Sequence, residues 1–101
     1  MMILTIKKQW FDMLLSGEKK EEYRDIKPYY TSRLINIGLL DKAEKPTKSS
    51  TWVIFRNGYS KNSPTFKALC MLDVKQGKTE WGAAPDTMYY TLKIKAIENG
   101  C

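Results

Sequence analysis

Three side chains in one short stretch could grip an anion. Lys19, Glu22 and Arg24 lie within Gly17-Glu18-Lys19-Lys20-Glu21-Glu22-Tyr23-Arg24, where a helical pattern gives way to a strand. In an extended segment successive side chains alternate faces, so Glu22 and Arg24 point the same way. Lys19, in the turn before them, can aim at the same space. A cation–carboxylate–cation set suits an anionic or polar ligand. On open surface the same residues would be a plain charge cluster, and the Glu22–Arg24 pair would contribute roughly 0–1 kcal/mol. In a cleft each charge needs a hydrogen bond or a ligand, and the set becomes a site.

Three other features could supply company for it. Arg56-Asn57-Gly58-Tyr59 leaves the most apolar strand and carries a cation, an amide and an aromatic. Such a group can hold a phosphate and stack on a base; as a bare hairpin turn, its polarity would be incidental. Trp81 sits in a Gly/Ala/Pro loop, either as a lid packed on the core or as a stacking platform. Tyr29 and Tyr30 follow Pro28 and could stack on a ligand or simply cover one end of the sheet.

Composition narrows the chemistry. The chain has 101 residues, enough for one domain with one modest core. Lys and Arg outnumber Asp and Glu by 17 to 11, for a net charge of +6, which favours nucleic acid, nucleotides or another acidic partner. Histidine is absent, which removes Ser-His-Asp and Cys-His devices and His-based zinc sites. Any acid–base work would fall to Glu, Asp, Lys, Tyr or Cys. Cys70 and Cys101 read as two unpaired thiols; no metal site and no cofactor is expected. No apolar run approaches the roughly 20 residues of a membrane span. At the N-terminus the apolar block precedes the charges, the reverse of a secretory signal, so a cytoplasmic location is expected.

The elements that must position these residues follow from periodicity. Met2–Ile6 reads as a buried first strand. Lys8–Ser16 reads as a helix with Trp10, Phe11, Leu14 and Leu15 on one face and Gly17 at its C-terminal cap. Glu21–Ile26 is extended and ends before Pro28. Tyr29–Leu40 is helical or irregular, and residues 41–50 form a flexible polar loop within the single domain. Thr51–Phe55 is a central apolar strand. Thr65–Lys75 is a long strand with Phe66, Ala68, Cys70, Leu72 and Val74 on one face. Thr87–Ile97 is the last, with Met88, Tyr90, Leu92, Ile94 and Ala96 on one face. Five or six strands and one or two N-terminal helices predict an α+β fold, a small curved or closed sheet capped by helices.

The segment Gly17-x-Lys19-x-x-Glu22-x-Arg24 resembles the G-x-K-x-x-E-x-R signature of ASCH domains, in the PUA-like superfamily. Leu4-Thr5-Ile6-Lys7, Leu14-Leu15-Ser16-Gly17, Val53-Ile54-Phe55-Arg56-Asn57-Gly58-Tyr59 and Trp81-Gly82-Ala83-x-Pro85 also look like small bacterial and phage-type ASCH proteins. The resemblance covers the chain except residues 41–50. It implies a PUA-like β-barrel with a cleft lined by Lys19, Glu22 and Arg24, and a role in binding RNA, a nucleotide or a modified nucleoside. One similar group hydrolyses acetylated cytidine with a lysine in the signature, a threonine three residues later and a distant glutamate. Here Lys19 matches the lysine, but Glu22 stands at the threonine position. A carboxylate attacking an amide would give a high-energy anhydride, so that chemistry is a poor match. Other ASCH proteins are linked to RNA cleavage, for which Glu22 or Tyr59 could act as base and Lys19 or Arg24 as the phosphate-binding cation.

The expectation is therefore a binding module in which Lys19, Glu22, Arg24, Arg56, Asn57, Tyr59 and Trp81 hold RNA, a nucleotide or a modified nucleoside. The competing readings are a hydrolase using Lys19, Glu22 or Tyr59, and a structural or protein-interaction domain.

Overall fold

A computed structural model describes residues 1–98 of the chain; Cys101 lies outside the described residues. The elements run β1 (Ile3–Ile6), α1 (Lys8–Ser16), β2 (Glu21–Arg24), α2 (Pro28–Asn36), β3 (Ser50–Asn57), β4 (Thr65–Gln76), a 3-10 turn (Thr79–Trp81) and β5 (Met88–Glu98). The strands form one mixed sheet in the order β1-β3-β4-β5-β2, curled into a half-barrel. The fold is α+β. Only β1 and β3 run parallel; the other neighbours are antiparallel. No helix among the described residues is long and apolar enough to cross a membrane.

Alternation sorts the sheet into two faces. Leu4, Ile6, Val53, Phe55, Phe66, Ala68, Cys70, Leu72, Tyr90 and Leu92 are buried on the concave face, where they meet Phe11 and Leu14 of α1 and Leu34 of α2. Phe66 stacks on Phe11 and Phe55 with centroid distances of 5.0 and 5.4 Å. Leu15, expected on the buried face of α1, is exposed because only the stripe through Phe11 and Leu14 meets the sheet.

The structure refines the strand and loop assignments. β1 is an edge strand buried on one face, through Leu4 and Ile6, with Ile3 exposed on the other. The pairing of β4 with β5 slips between Leu69 and Cys70: Leu69 faces Ala96, whereas Cys70 faces Ile94. Lys95 is thus an extra residue, a β-bulge that turns Ala96 outward and Ile97 inward. Residues 41–49 are a surface segment, exposed except for the partly buried Pro46, and carry their own bonds. Asp41 Oδ1 accepts from the Ala43 and Lys45 amides at 2.9 Å, and Thr47 donates to the Gly38 carbonyl at 2.7 Å.

The edge strands β1 and β2 do not pair with each other. Side chains bridge the gap between them, and α2 stands beside it. That open seam is where the polar groups collect.

Candidate functional site

The signature begins at the end of α1. Gly17 adopts φ +86°, the left-handed conformation that suits glycine, and its amide bonds back to Leu14. The Lys19 amide then donates to the Met13 carbonyl at 2.9 Å. This second bond folds the turn under α1 and sends the Lys19 side chain inward.

Lys19 is 1% exposed. Its ammonium donates to the Trp81 carbonyl at 2.5 Å and lies 3.1 Å from Glu22 Oε1. The Trp10 and Tyr23 rings each lie 4.9 Å from the nitrogen, measured to the centroid. Burial pushes the Lys19 pKa below the ordinary lysine value, against the opposing pull of Glu22. Glu22 is also buried, and its second oxygen accepts from Arg24 Nη2 at 2.8 Å. The same Arg24 nitrogen lies 3.5 Å from the Thr5 carbonyl on β1. Lys19, Glu22 and Arg24 therefore form a chain that starts in the interior and ends in the seam.

The other face of β2 carries a second polar set. Glu21 accepts from Tyr23 at 2.8 Å and pairs with Lys75 at 2.6 Å. Burial pushes the Glu21 carboxyl up, but these two donors outweigh it and hold the pKa below the usual value. Tyr23 in turn accepts from the Lys78 amide at 2.9 Å, and burial raises the pKa of its hydroxyl. This set ties the Gln76–Trp81 connection to β2 and so fixes the Trp81 carbonyl over Lys19.

Two adjoining recesses of about 300 Å³ each open along the seam. Arg24, Thr5 and Tyr59 line both. The first also takes in Arg56 from β3 and Tyr29, Tyr30 and Arg33 from α2. The second is walled by Lys7, Trp10 and Glu22. Arg56 donates to Thr5 Oγ1 at 3.3 Å. The Nε atoms of Arg24 and Arg56 are both buried without a protein partner. Arg33 lies over the Tyr29 ring at 3.6 Å, and Arg24 is 5.8 Å from the Tyr30 ring. A recess of about 360 Å³ on the other side of α2, along Ile26, Pro28, Thr31 and Ile35, is larger but gathers no cluster of cations.

The structure thus brings Glu22, Arg24, Arg56 and Tyr59 together. Lys19 lines neither recess; it stands behind Glu22. Asn57 closes β3, its amide bonded to the Pro64 carbonyl, and it lines neither recess. Trp81 contributes its carbonyl to Lys19, while its ring packs under Lys78 at 4.5 Å. Tyr59 is 87% exposed and forms an outer rim. Thr5 and Arg33 were not singled out from the sequence. Arg33 could have been found from its i, i+4 spacing to Tyr29 on α2. Thr5 becomes visible only once β1 and β3 are paired. Among the described residues no group of three His, Cys, Asp or Glu side chains could hold a metal ion.

No protein-family model, curated protein or solved structure matches the chain.

Proposed function

We propose that the chain is an ASCH-type, PUA-like module that binds RNA, a nucleotide or a modified nucleoside in the seam between β1 and β2. One observation carries this reading. Arg24 and Arg56 converge on a polar recess rimmed by Tyr29, Tyr30 and Tyr59, and each has a buried Nε without a protein acceptor. A buried donor left unpaired costs about 1–3 kcal/mol, so a shift of either guanidinium that brings its Nε to an acceptor entering the recess is favoured. Guanidinium groups match phosphate oxygens in pairs, and tyrosine rings offer a face to a base. A recess of about 300 Å³ is at the lower end for small-molecule sites.

Recognition is better supported than hydrolysis. Both Glu22 oxygens already accept from cations, and the Lys19 ammonium is enclosed by Trp10, Tyr23 and Trp81. A hydrolase built on these two residues would have to release both from their partners. Within the binding reading, Lys19 and Glu22 set the position of Arg24, and Arg24 and Arg56 meet the ligand. A cytoplasmic setting accords with this role.

The test is a titration of uridine 5′-monophosphate, short single-stranded RNA and a panel of modified nucleosides against wild type, Arg24→Met and Arg56→Met. Each variant is expected to lose affinity for phosphate-bearing ligands, with a shallower salt dependence, by about 0.7 in log–log slope per lost phosphate contact on single strands. Equal, weak binding by all three proteins refutes the reading. Incubation with labelled RNA and acetylated cytidine separates the hydrolase alternative, which requires turnover.

A further inference from the structure

The seam does not end at Arg56. β3 continues outward from it with Ile54 and Trp52 on the same, convex face, since Val53 and Phe55 are buried on the other. Strand pairing widens this stripe. Ile54 lies between Ile3 and Lys67, Trp52 lies beside Leu69, and Ser50 beside Met71. Beyond them on β5, Ala96 adjoins Leu69 and Lys93 adjoins Met71, while the bulge leaves Lys95 exposed. Trp52, Ile54, Leu69 and Met71 are partly exposed and belong to no part of the core. The Trp52 ring takes part in none of the aromatic pairs or cation–ring contacts among the described residues.

We infer that this convex stripe is a second contact surface for single-stranded nucleic acid, continuing from the seam over Ile54 to Trp52. The inference rests on the binding reading above and extends it from a nucleotide to an oligonucleotide. Arg56 and Trp52 are four residues apart on one strand, so they stand about 13 Å from each other along it. A chain held at Arg56 by a phosphate can therefore lay a later base on Trp52. Lysines flank that path: Lys67 lies beside Ile54, and Lys93 and Lys95 lie on the next strand but one. Asp73, Glu21 and Glu98 share the face. Asp73 pairs with Lys48 at 3.0 Å and lies 3.8 Å from Lys93. Glu21 stands opposite Lys93 but pairs with Lys75, and Glu98 stands opposite Lys67 at the far side, so Lys67 and Lys95 are the cations nearest to free. The charge pattern chooses the occupant. Lysine is depleted at protein–protein interfaces, whereas an aromatic among cations is what sequence-tolerant single-strand binding uses, stacking for the base and charge for the backbone. Ile54, Leu69 and Met71 are the apolar neighbours of Trp52 on this face, and Trp52 is itself partly exposed.

Length dependence tests it. Uridine 5′-monophosphate and oligouridylates of increasing length are titrated against wild type, Trp52→Ala, Trp52→Phe and Lys67→Glu, with circular dichroism confirming that each variant is folded. In wild type, affinity rises with length. Trp52→Ala lowers oligouridylate affinity by roughly 5- to 150-fold, the range for one stacked base, and leaves monophosphate affinity unchanged. Trp52→Phe retains most of the gain. Lys67→Glu lowers oligouridylate affinity at low salt and has less effect at high salt. Unchanged length dependence in both Trp52→Ala and Lys67→Glu overturns the inference while leaving the seam reading intact. Sedimentation showing a wild-type dimer that Trp52→Ala abolishes, with RNA binding unaffected, overturns it in favour of self-association. Oligouridylate binding that needs Trp52 but neither Arg24 nor Arg56 refutes the seam reading and, with it, the proposal that the stripe continues from Arg56.

Discussion

Replacing Lys19 with methionine tests the chain of contacts that ends at Arg24. Methionine fills a similar volume but cannot donate. The substitution removes the bond to the Trp81 carbonyl, the contact with Glu22 Oε1 and the cation–ring contacts with Trp10 and Tyr23. Two terms oppose each other. The cost of burying the ammonium, which is 1% exposed, disappears; the same desolvation pushes the Lys19 pKa down. Against it, Glu22 stays buried with one oxygen unpaired. Removing one partner of a buried ion pair costs about 3–5 kcal/mol. Arg24 still holds the other Glu22 oxygen, which places Lys19→Met at the low end, about 3 kcal/mol. For a domain of this size each kcal/mol shifts Tm by about 4–8 °C, so the melting point should fall by about 12–24 °C. Urea and thermal unfolding measure it. The double variant Lys19→Met/Glu22→Leu removes both charges and should recover much of the loss, so the two single effects will not add. In that double variant Arg24 loses its anchor, and phosphate affinity should fall although stability has returned. A Lys19→Met protein within about 0.5 kcal/mol of wild type would refute the reasoning; it would mean that Glu22 finds solvent or another donor at no cost.

Three further outcomes follow from the packing around the site. Gly77→Ala places a Cβ 2.6 Å from Ala83 Cβ and 2.7 Å from Tyr23 Cε1; overpacking there should cost about 1–3 kcal/mol in urea unfolding, and a neutral result would show that Tyr23 yields freely. Cys70 is fully buried and its thiol is pushed up to about 12 by burial, so peptide mapping after iodoacetamide at pH 8 should show it unlabelled in the native protein and labelled in urea; native labelling refutes this. Glu21 is held below its ordinary 4.5 by Lys75 and Tyr23 against burial, and Asp73 below 3.8 first by its bond from Lys48. Each folded value lies below the unfolded one, so their stabilisation is complete above about pH 5 and is lost as pH falls through 4 and below. Glu21→Gln should flatten that acid slope, and an unchanged slope assigns it elsewhere.

The parts of the fold that were legible in the sequence were those set by local rules. Gly17 caps α1, and the alternation of Phe66, Ala68, Cys70, Leu72 and Val74 marks the buried face of β4, because both depend on near neighbours. The pairing of Glu22 with Arg24 also followed from the two-residue period of a strand. What stayed hidden depended on pairing between distant segments. The bulge at Lys95 breaks the alternation without any glycine or proline to announce it. The edge position of β1 is decided by which strands lie beside it, and no periodicity within Ile3–Ile6 reports that. Trp81 was weighed as a ring that stacks or packs, yet its contribution to the site is a backbone carbonyl, a role that carries no side-chain signal.

The inward turn of Lys19 changes the meaning of the charged octapeptide. Three side chains with the right reach suggest three contacts to one ligand. In the fold, one backbone bond from Lys19 to Met13 removes the first of them from the cleft. The carboxylate then lies between two cations, one in the interior and one at the seam. A lone arginine on an edge strand would sample many rotamers and lose that freedom on binding, at about 0.5–1.5 kcal/mol for one long side chain. Glu22 anchors Arg24 in advance, and Lys19 gives Glu22 a second partner while it is buried. The spacing Lys19-x-x-Glu22-x-Arg24 therefore works as a lever arm. Its fixed end is in the core, and the working end faces Arg56 across β1. By this logic conservative exchange should be least tolerated at the hidden end. Lys19→Arg adds bulk among Trp10, Tyr23 and Trp81, whereas Arg24→Lys keeps the charge in the seam and loses only the paired geometry that the proposed phosphate contact would use.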